Sequence, residues 1–419
     1  MNKRPLTPAL AGRILARIGE SGQPPEVGVE HLNVGNESLL GVLDSEYLEP
    51  ISATRRGSTF KLVQAYYGGG KTHFLLCARQ AAFARSLAAA IVSLSPEETP
   101  FDDPVRIYQA VAREIAAPPL DPDVPPARGI EIALRVFVEE RLEGLDHAAR
   151  VAWVDQLRRI PVDAPACRAA VVAFARAIVD DDPGKEDIAG AWLRGETLRA
   201  EEIRPLGIRE NLERSNAFRM LRSLCQLLQG IGVPGLLLAF DEADRTLSVS
   251  SRRKRAIADN LRQLIDHCGQ EHLPGLVCLY AVPPEFMREV VTEYPALQQR
   301  LEGPATLSRR SPQAAIIDLE NLDLDPEDLL VQIGLRILLL VEVARGVSLD
   351  PRLQEQNLRR LAEHVLERSF EVAHRRAYVK AAVDLLQQQI HAENAIAYAD
   401  IIAFTPRVPV AELPGGDDF

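Results

Sequence analysis

The stretch that decides the fold runs from Ser58 to Thr72 and reads STFKLVQAYYGGGKT. Its first half, up to Gln64, follows a glycine and has the β-branched and aromatic residues typical of a strand. A glycine-rich turn comes next, and residues 71–87 have the apolar pattern of a long helix. Residues 89–94 predict a second strand. This order of strand, turn, helix and strand predicts a βαβ unit and therefore an α/β fold with a parallel sheet.

The turn between the first strand and the helix has the composition of a phosphate-binding loop. Small residues allow successive backbone N–H groups to face phosphate oxygens, and the N-terminus of the following helix adds a positive dipole end. Lys71 would reach the β- and γ-phosphates, and the Thr72 hydroxyl would bind Mg²⁺. Ala65 stands where the usual pattern opens with glycine. The alternative is a glycine-rich turn with a chance lysine. The nucleotide-binding residues predicted in this turn are Tyr67, Gly68, Gly69, Gly70, Lys71 and Thr72.

Two acids follow the apolar run LLLAF, which ends at Phe240. In a phosphate-loop ATPase the first, here Asp241, holds Mg²⁺ through water, and the second, here Glu242, orients and deprotonates the attacking water. Both roles require a carboxylate at the carboxyl end of a strand beside the phosphate loop. The alternative is that one of the acids caps the next helix.

Three basic features are further candidates. Arg300, in the helical segment PALQQRL, could reach the γ-phosphate of a neighbouring subunit, or it could be a solvated surface residue. An arginine in HRRAYVK, residues 374–380, could sense the γ-phosphate, or this segment could be a basic solvated face. The run RRKR at 252–255 could contact nucleic-acid phosphates, or it could pair with surface acids at a helix start.

Composition limits the class of protein. The chain has 419 residues, of which 47% are apolar and 26% are charged, and its net charge is −11. These values exclude disorder over most of the length and make a nucleic-acid coating protein improbable. The apolar runs are far shorter than the roughly 18 residues that cross a bilayer, and the start lacks the apolar segment of a secretory signal. We therefore expect a cytoplasmic protein without membrane contact.

The five cysteines are scattered and include no CxxC pair. Small buried thiols in a reducing cytoplasm explain this pattern, so we expect no disulfide and no structural metal.

Helical periodicity and Pro-rich or Gly-rich interruptions divide the chain into six predicted segments. They are an N-terminal helix (1–24), the first part of the α/β core (25–128), a helical insertion (129–232), the second part of the core (233–322), an all-helical domain (323–405) and a mobile tail (406–419).

With these features together, the chain resembles the AAA+ ATPases, nearest to their origin-recognition (ORC-like) branch. It is more closely similar to the ATP-binding proteins of bacterial BREX phage-exclusion systems, the BrxC/BrxD family. The resemblance covers roughly residues 25 to 390. The segments that carry it are Val34–Glu37, Gly57–Val63, Trp192–Glu196, Gly235–Asp244 and Arg376–Leu386.

The resemblance implies a five-stranded parallel sheet with a helical lid, and ATP and Mg²⁺ as cofactors. It implies that Val34 and Gly35 line an adenine pocket, that Arg300 is an arginine finger, and that Arg376 is a second sensor. The sequence departs from many relatives after the fourth strand, where Val282-Pro283 replaces the small polar residue of a first sensor. The role in defence against phage follows from the resemblance alone.

Two functions remain as hypotheses. The first is an ATPase that couples nucleotide binding and hydrolysis to assembly or remodelling in a DNA-associated defence complex. The second is a scaffold or DNA-binding switch that binds ATP and hardly hydrolyses it, which the missing first sensor favours. The expected partners are other defence-system proteins of the helicase or methyltransferase class, DNA, and further copies of the chain.

Overall fold

The computed structural model describes residues 5–242, 247–303, 305–368, 374–401 and 404. It divides into two compact units. The first unit runs from Asn36 to Leu322. The second unit combines the described residues before Asn36 with those from Asp323 onward.

Five strands form one sheet in the described part of the first unit, and every neighbouring pair is parallel. Their order across the sheet is β2-β3-β4-β1-β5. The predicted five-stranded parallel sheet is therefore confirmed. The strands are β1 (Thr59–Gln64), β2 (Ala88–Ser93), β3 (Leu236–Asp241), β4 (Leu276–Val282) and β5 (Ile316–Asp318).

Helices make up most of the remaining described chain. In chain order they are α1 (Pro8–Ser21), α2 (Glu37–Leu43), α3 (Glu49–Thr54), α4 (Lys71–Ala84), α5 (Pro104–Glu114), α6 (Ile130–Leu142), α7 (His147–Leu157), α8 (Pro165–Asp180), α9 (Pro183–Leu193), α10 (Ala200–Ile203), α11 (Ala217–Gly230), α12 (Ser251–Gly269), α13 (Pro284–Phe286), α14 (Pro295–Leu301), α15 (Pro326–Arg345), α16 (Pro351–Arg368), α17 (His374–Gln389) and α18 (Tyr398–Ile401). None of the described helices combines the length and apolar character that a membrane span requires.

The central strands are buried on both faces, which explains their continuous apolar runs. All residues of β3 and β4 are buried. Alternate residues such as Leu238 and Cys278 join a core with the helices of residues 130–230. Helix α4, which connects β1 to β2, packs against β2, β3 and β4. The helices of residues 130–230 therefore share the core of the sheet.

The described residues of the second unit form helices and loops, and they include the N-terminal helix. Leu10, Ile14 and Ile18 of α1 lie in one apolar core with residues of α15, α16 and α17. A proline start after Thr7, whose hydroxyl accepts the Leu10 N–H, fixes the beginning of α1. The predicted division separates residues 1–24 from residues 323–405, whereas the structure groups the described residues of these segments. An amphipathic pattern shows that one face of a helix packs against another element, but it does not show which element.

All five cysteines are buried, as predicted. Burial raises the pKa of Cys167, Cys225 and Cys268 to about 12, so these thiols are protonated at neutral pH. The tail predicted to be mobile, 406–419, lies outside the described residues.

Lys61 is a buried cation in β1, with 2% of its surface exposed. Its ammonium donates to the Tyr47 hydroxyl at 2.8 Å and to the Ala314 carbonyl at 2.9 Å. It also lies 4.4 Å from the centre of the Tyr47 ring. Burial lowers the pKa of Lys61 to about 8, because these neutral partners do not replace all of its hydration.

Lys61 should therefore make the stability of the protein depend on pH. Between pH 8 and 10.5 the folded chain has released this proton while the unfolded chain still binds it, so the free energy of unfolding rises with pH. The gain is about 3 kcal/mol, since one pKa unit corresponds to about 1.4 kcal/mol. Urea unfolding of wild type and Lys61→Met across this pH range should show wild type gaining this amount relative to the variant. Lys185→Met, at an exposed lysine, is the matched control. A difference between wild type and Lys61→Met that stays constant with pH would contradict the prediction.

Candidate functional site

The predicted phosphate loop lies between the end of β1 and the beginning of α4. Ala65 still belongs to the sheet, because its N–H donates to the Val282 carbonyl at 3.2 Å. The chain then turns through Gly68 (φ 78°) and Gly70 (φ 92°), both in the left-handed region that glycine adopts without strain. Gly70 is the N-cap of α4 and provides no side-chain cap. The loop thus leads directly into a 14-residue helix with no acid in its first turn, which favours an anion there.

Lys71 holds this loop closed from within. Its Nζ donates to the carbonyl oxygens of Ala65, at 2.9 Å, and Tyr66, at 3.0 Å. The side chain folds back across the loop, and the residue is 7% exposed. These contacts keep the ammonium inside the turn, where it can reach a phosphate bound by the loop.

Asp241 and Thr72 form the second half of the site. The Thr72 hydroxyl donates to Asp241 Oδ2 at 2.6 Å, and the Glu242 N–H donates to Asp241 Oδ1 at 2.8 Å. Asp241 is 4% exposed, and the donors to its two carboxylate oxygens are a hydroxyl and a backbone N–H. A buried carboxylate with only neutral donors favours a nearby cation. The donor set of hydroxyl and carboxylate oxygens suits Mg²⁺.

Glu242 has an unusual backbone conformation. Its φ is 59°, a value that costs a non-glycine residue about 1 kcal/mol. The hydrogen bond from its N–H to Asp241 holds this turn at the end of β3. The next four residues, 243–246, lie outside the described residues.

The strand order defines the spacing between the loop and the acids. The acid-bearing strand β3 is not the neighbour of β1, because β4 lies between them. Neighbouring strands are about 4.8 Å apart. The ends of β1 and β3, which carry the loop and the acids, are therefore one such spacing farther apart than the ends of adjacent strands. The intervening strand ends at Val282, followed by Pro283. An apolar residue therefore stands between the loop and the acids.

Glu320, which follows β5, is not among the site residues predicted from the sequence. Its Oε1 accepts the Tyr66 N–H at 2.9 Å, so its carboxylate contacts the phosphate loop from the β5 side. The available signal was the segment AIIDLE at 315–320, an apolar run that ends in acids as LLLAFDE does.

Arg300 lies on α14 and forms an ion pair within the chain. Its Nη2 donates to Asp266 Oδ2 at 3.0 Å, and its Nε donates to the other carboxylate oxygen. Hydrogen bonding from Arg300 lowers the pKa of Asp266 below its ordinary value. These bonds fix the direction of the Arg300 guanidinium within its own chain. The role of Arg300 as an arginine finger stays a prediction.

Three of the predicted site residues, Val34, Gly35 and Arg376, belong to the second unit. Val34 and Gly35 are half-buried and end the N-terminal part of that unit, and Gly35 has a φ of 81°. Arg376 lies in the first turn of α17, where its Cγ would be 2.6 Å from a Cβ placed on Gly22. The adenine-pocket and second-sensor roles of these residues stay predictions.

The basic run 252–255 occupies the first turn of α12. Arg253 makes a bidentate contact with Asp102, at 2.9 Å for each bond, and Lys254 Nζ lies 2.9 Å from Glu289 Oε2. Burial acts to raise the pKa of Asp102, but the hydrogen bonds and charge of Arg253 outweigh it and lower that pKa. Two of the four cations are therefore paired with acids, and Arg252 and Arg255 are exposed.

A parallel α/β sheet whose first strand leads through a glycine-rich, lysine-containing loop into a helix defines a class of nucleotide-binding proteins. Comparison with protein families shows to which family within this class the chain belongs. The model of the BREX system ATP-binding protein BrxC/D matches residues 13–405, and the chain belongs to this family. A search of curated proteins found no match.

Proposed function

We propose that this chain binds ATP with Mg²⁺ at the loop formed by residues 65–72 and hydrolyses it. The observation that carries the proposal is the pairing of two features. One is a lysine held inside a glycine loop at a helix N-terminus, and the other is a buried carboxylate bonded to the hydroxyl that follows this lysine. Membership in an ATP-binding family supports the choice of ATP.

Each residue then has a defined role. Backbone N–H groups of residues 67–72 face the phosphates, and the Lys71 ammonium neutralises the β- and γ-phosphate charge. Thr72 and Asp241 would hold Mg²⁺, which would supply positive charge that neutralises the phosphates. Glu242 accepts a proton from the attacking water, and its constrained backbone fixes the direction in which its side chain leaves β3.

A titration with ATP tests the site directly. We expect one ATP to bind per chain, with an affinity that falls at least tenfold, or about 1.4 kcal/mol, when EDTA removes Mg²⁺. Asp241→Asn should reduce this Mg²⁺ dependence, because it removes the negative charge that the cation neutralises. The proposal fails if wild type does not bind ATP in calorimetry, or if Asp241→Asn retains the full Mg²⁺ dependence.

The wider proposal is an AAA+ type ATPase in which the all-helical unit serves as a lid and Arg300 acts on the nucleotide of the next subunit. The strand order, with β4 between β1 and β3, supports this assignment. Nucleotide binding would then drive assembly and remodelling together with other components of the BREX system, and through them with DNA. Light scattering with and without a non-hydrolysable ATP analogue and Mg²⁺ tests the assembly step.

One observation favours a second candidate, a scaffold that binds ATP without turnover. The position between the loop and the acids is held by Val282 and Pro283, which cannot position a water molecule through a side-chain hydrogen bond. The two candidates differ in phosphate release, and the Glu242→Gln variant discussed below separates them.

A further inference from the structure

Glu320 reaches the phosphate loop because β5 lies beside β1. The two strands pair in parallel, with Gln64 opposite Asp318, and the Leu319 N–H continues this ladder by donating to the Gln64 carbonyl at 2.9 Å. Glu320 thus stands just beyond the sheet, level with the first residues of the loop. Asp318 holds this position, because its Oδ1 accepts the Glu320 N–H at 2.9 Å.

The contact with the loop joins Glu320 to Lys71 through one peptide group. Glu320 Oε1 accepts the N–H of Tyr66 at 2.9 Å. The carbonyl of the same peptide belongs to Ala65, and it accepts the Lys71 ammonium at 2.9 Å. A trans peptide is planar, with its N–H and C=O directed to opposite sides. A carboxylate and an ammonium therefore hold this one peptide from its two sides, and each polarises it in favour of the other.

Gly69 shows how closely the loop fits this carboxylate. A Cβ at this position would lie 2.3 Å from Glu320 Oε1, 2.9 Å from Ala65 Cβ and 3.0 Å from the Tyr66 carbonyl oxygen. Gly68 and Gly70 are required by their positive φ, whereas the requirement at Gly69 comes from space. The loop is thus shaped to close over the side chain of Glu320.

We infer that Glu320 is a positioning residue for the nucleotide site: it fixes the Ala65–Tyr66 peptide and thereby the carbonyl that anchors the Lys71 ammonium. The inference rests on the proposed role of Lys71 in binding phosphates. Glu320 acts through the loop, since its carboxylate would repel a phosphate that it contacted directly. Its contribution to affinity is consequently carried by hydrogen-bond acceptance and tolerates the loss of its charge.

The test measures ATP affinity in three variants of Glu320. Glu320→Ala removes the acceptor of the Tyr66 N–H and should weaken ATP binding about tenfold, the effect of losing one hydrogen bond. Glu320→Gln keeps an acceptor oxygen at the same reach and should stay within about threefold of wild type. Glu320→Asp keeps the charge but shortens the side chain, and should weaken binding as alanine does. Glu293→Ala, at an exposed acid, is the matched control.

Rescue by glutamine and failure of aspartate separate positioning from a general structural or electrostatic role. Equal affinities of wild type, Glu320→Ala and Glu320→Asp would overturn the inference and leave the proposed ATP site intact. Tighter binding by both Glu320→Ala and Glu320→Gln would also overturn it, because the carboxylate would then act as a repelling charge. Wild type that binds no ATP would remove the proposed function and this inference together. If Glu320→Ala does not fold, as judged by thermal unfolding, the aspartate and glutamine variants decide the question.

Discussion

Replacement of Lys71 by alanine is expected to weaken ATP binding by at least about 100-fold. The variant loses a charge-assisted contact to the phosphates and the two bonds that hold the loop carbonyls of Ala65 and Tyr66. Hydrogen bonds to charged groups contribute about 1.5–3 kcal/mol each, so the loss of the contacts to the β- and γ-phosphates corresponds to a factor of about 100 or more. Isothermal titration calorimetry with ATP and Mg²⁺ measures the effect.

Two further variants show whether the effect of Lys71→Ala belongs to the site. Lys71→Arg retains the positive charge but presents a planar fork instead of a compact ammonium, so it should restore little of the affinity. Lys185→Ala removes an exposed lysine that pairs with Asp182, and should bind ATP as wild type does. Thermal unfolding of each variant reports whether the fold is retained. Undiminished affinity in a folded Lys71→Ala protein would show that the triphosphate binds elsewhere.

The sequence allowed the sheet to be predicted because its signals are local. Continuous apolar runs such as LLLAF are bounded by glycine or by acids, and the runs of β3 and β4 form strands that are buried on both faces. The phosphate loop could be predicted from the sequence for the same reason, since its glycines, Lys71 and Thr72 are consecutive. The order of the strands was not, because no local feature of β4 requires it to lie between β1 and β3.

The residues that the sequence did not connect are those that meet across long separations. Glu320 and Tyr66 are 254 positions apart, and Arg300 and Asp266 are 34 apart. Each pair depends on strand or helix packing that a single sequence does not specify. The basic run illustrates the same point. Its pattern permits contact with nucleic acid, but the structure shows Arg253 bound to Asp102, an acid 151 positions away.

Replacement of Glu242 by glutamine is expected to leave ATP binding intact and to reduce steady-state phosphate release by at least about 100-fold. A positioned general base contributes about 10²–10⁴ to a rate, and glutamine keeps the size of the side chain but cannot accept the proton. The position of Glu242 supports this role, because it adjoins Asp241, whose carboxylate accepts the Thr72 hydroxyl of the phosphate loop. Calorimetry gives the affinity, and a phosphate-release assay gives the rate.

Glu271→Gln is a matched control for this variant. Glu271 is an exposed glutamate with a φ of 55°, close to the 59° of Glu242, and it lies in the turn after α12. It should release phosphate at the wild-type rate. Equal, slow release by wild type and Glu242→Gln, with ATP bound tightly by both, would contradict hydrolysis and favour the scaffold that the apolar Val282 and Pro283 suggest. A large drop in phosphate release that is confined to Glu242→Gln would instead mean that the Asp241–Glu242 turn performs catalysis without a polar first sensor. Val282, at the end of β4, has no polar side-chain atom that could orient the water.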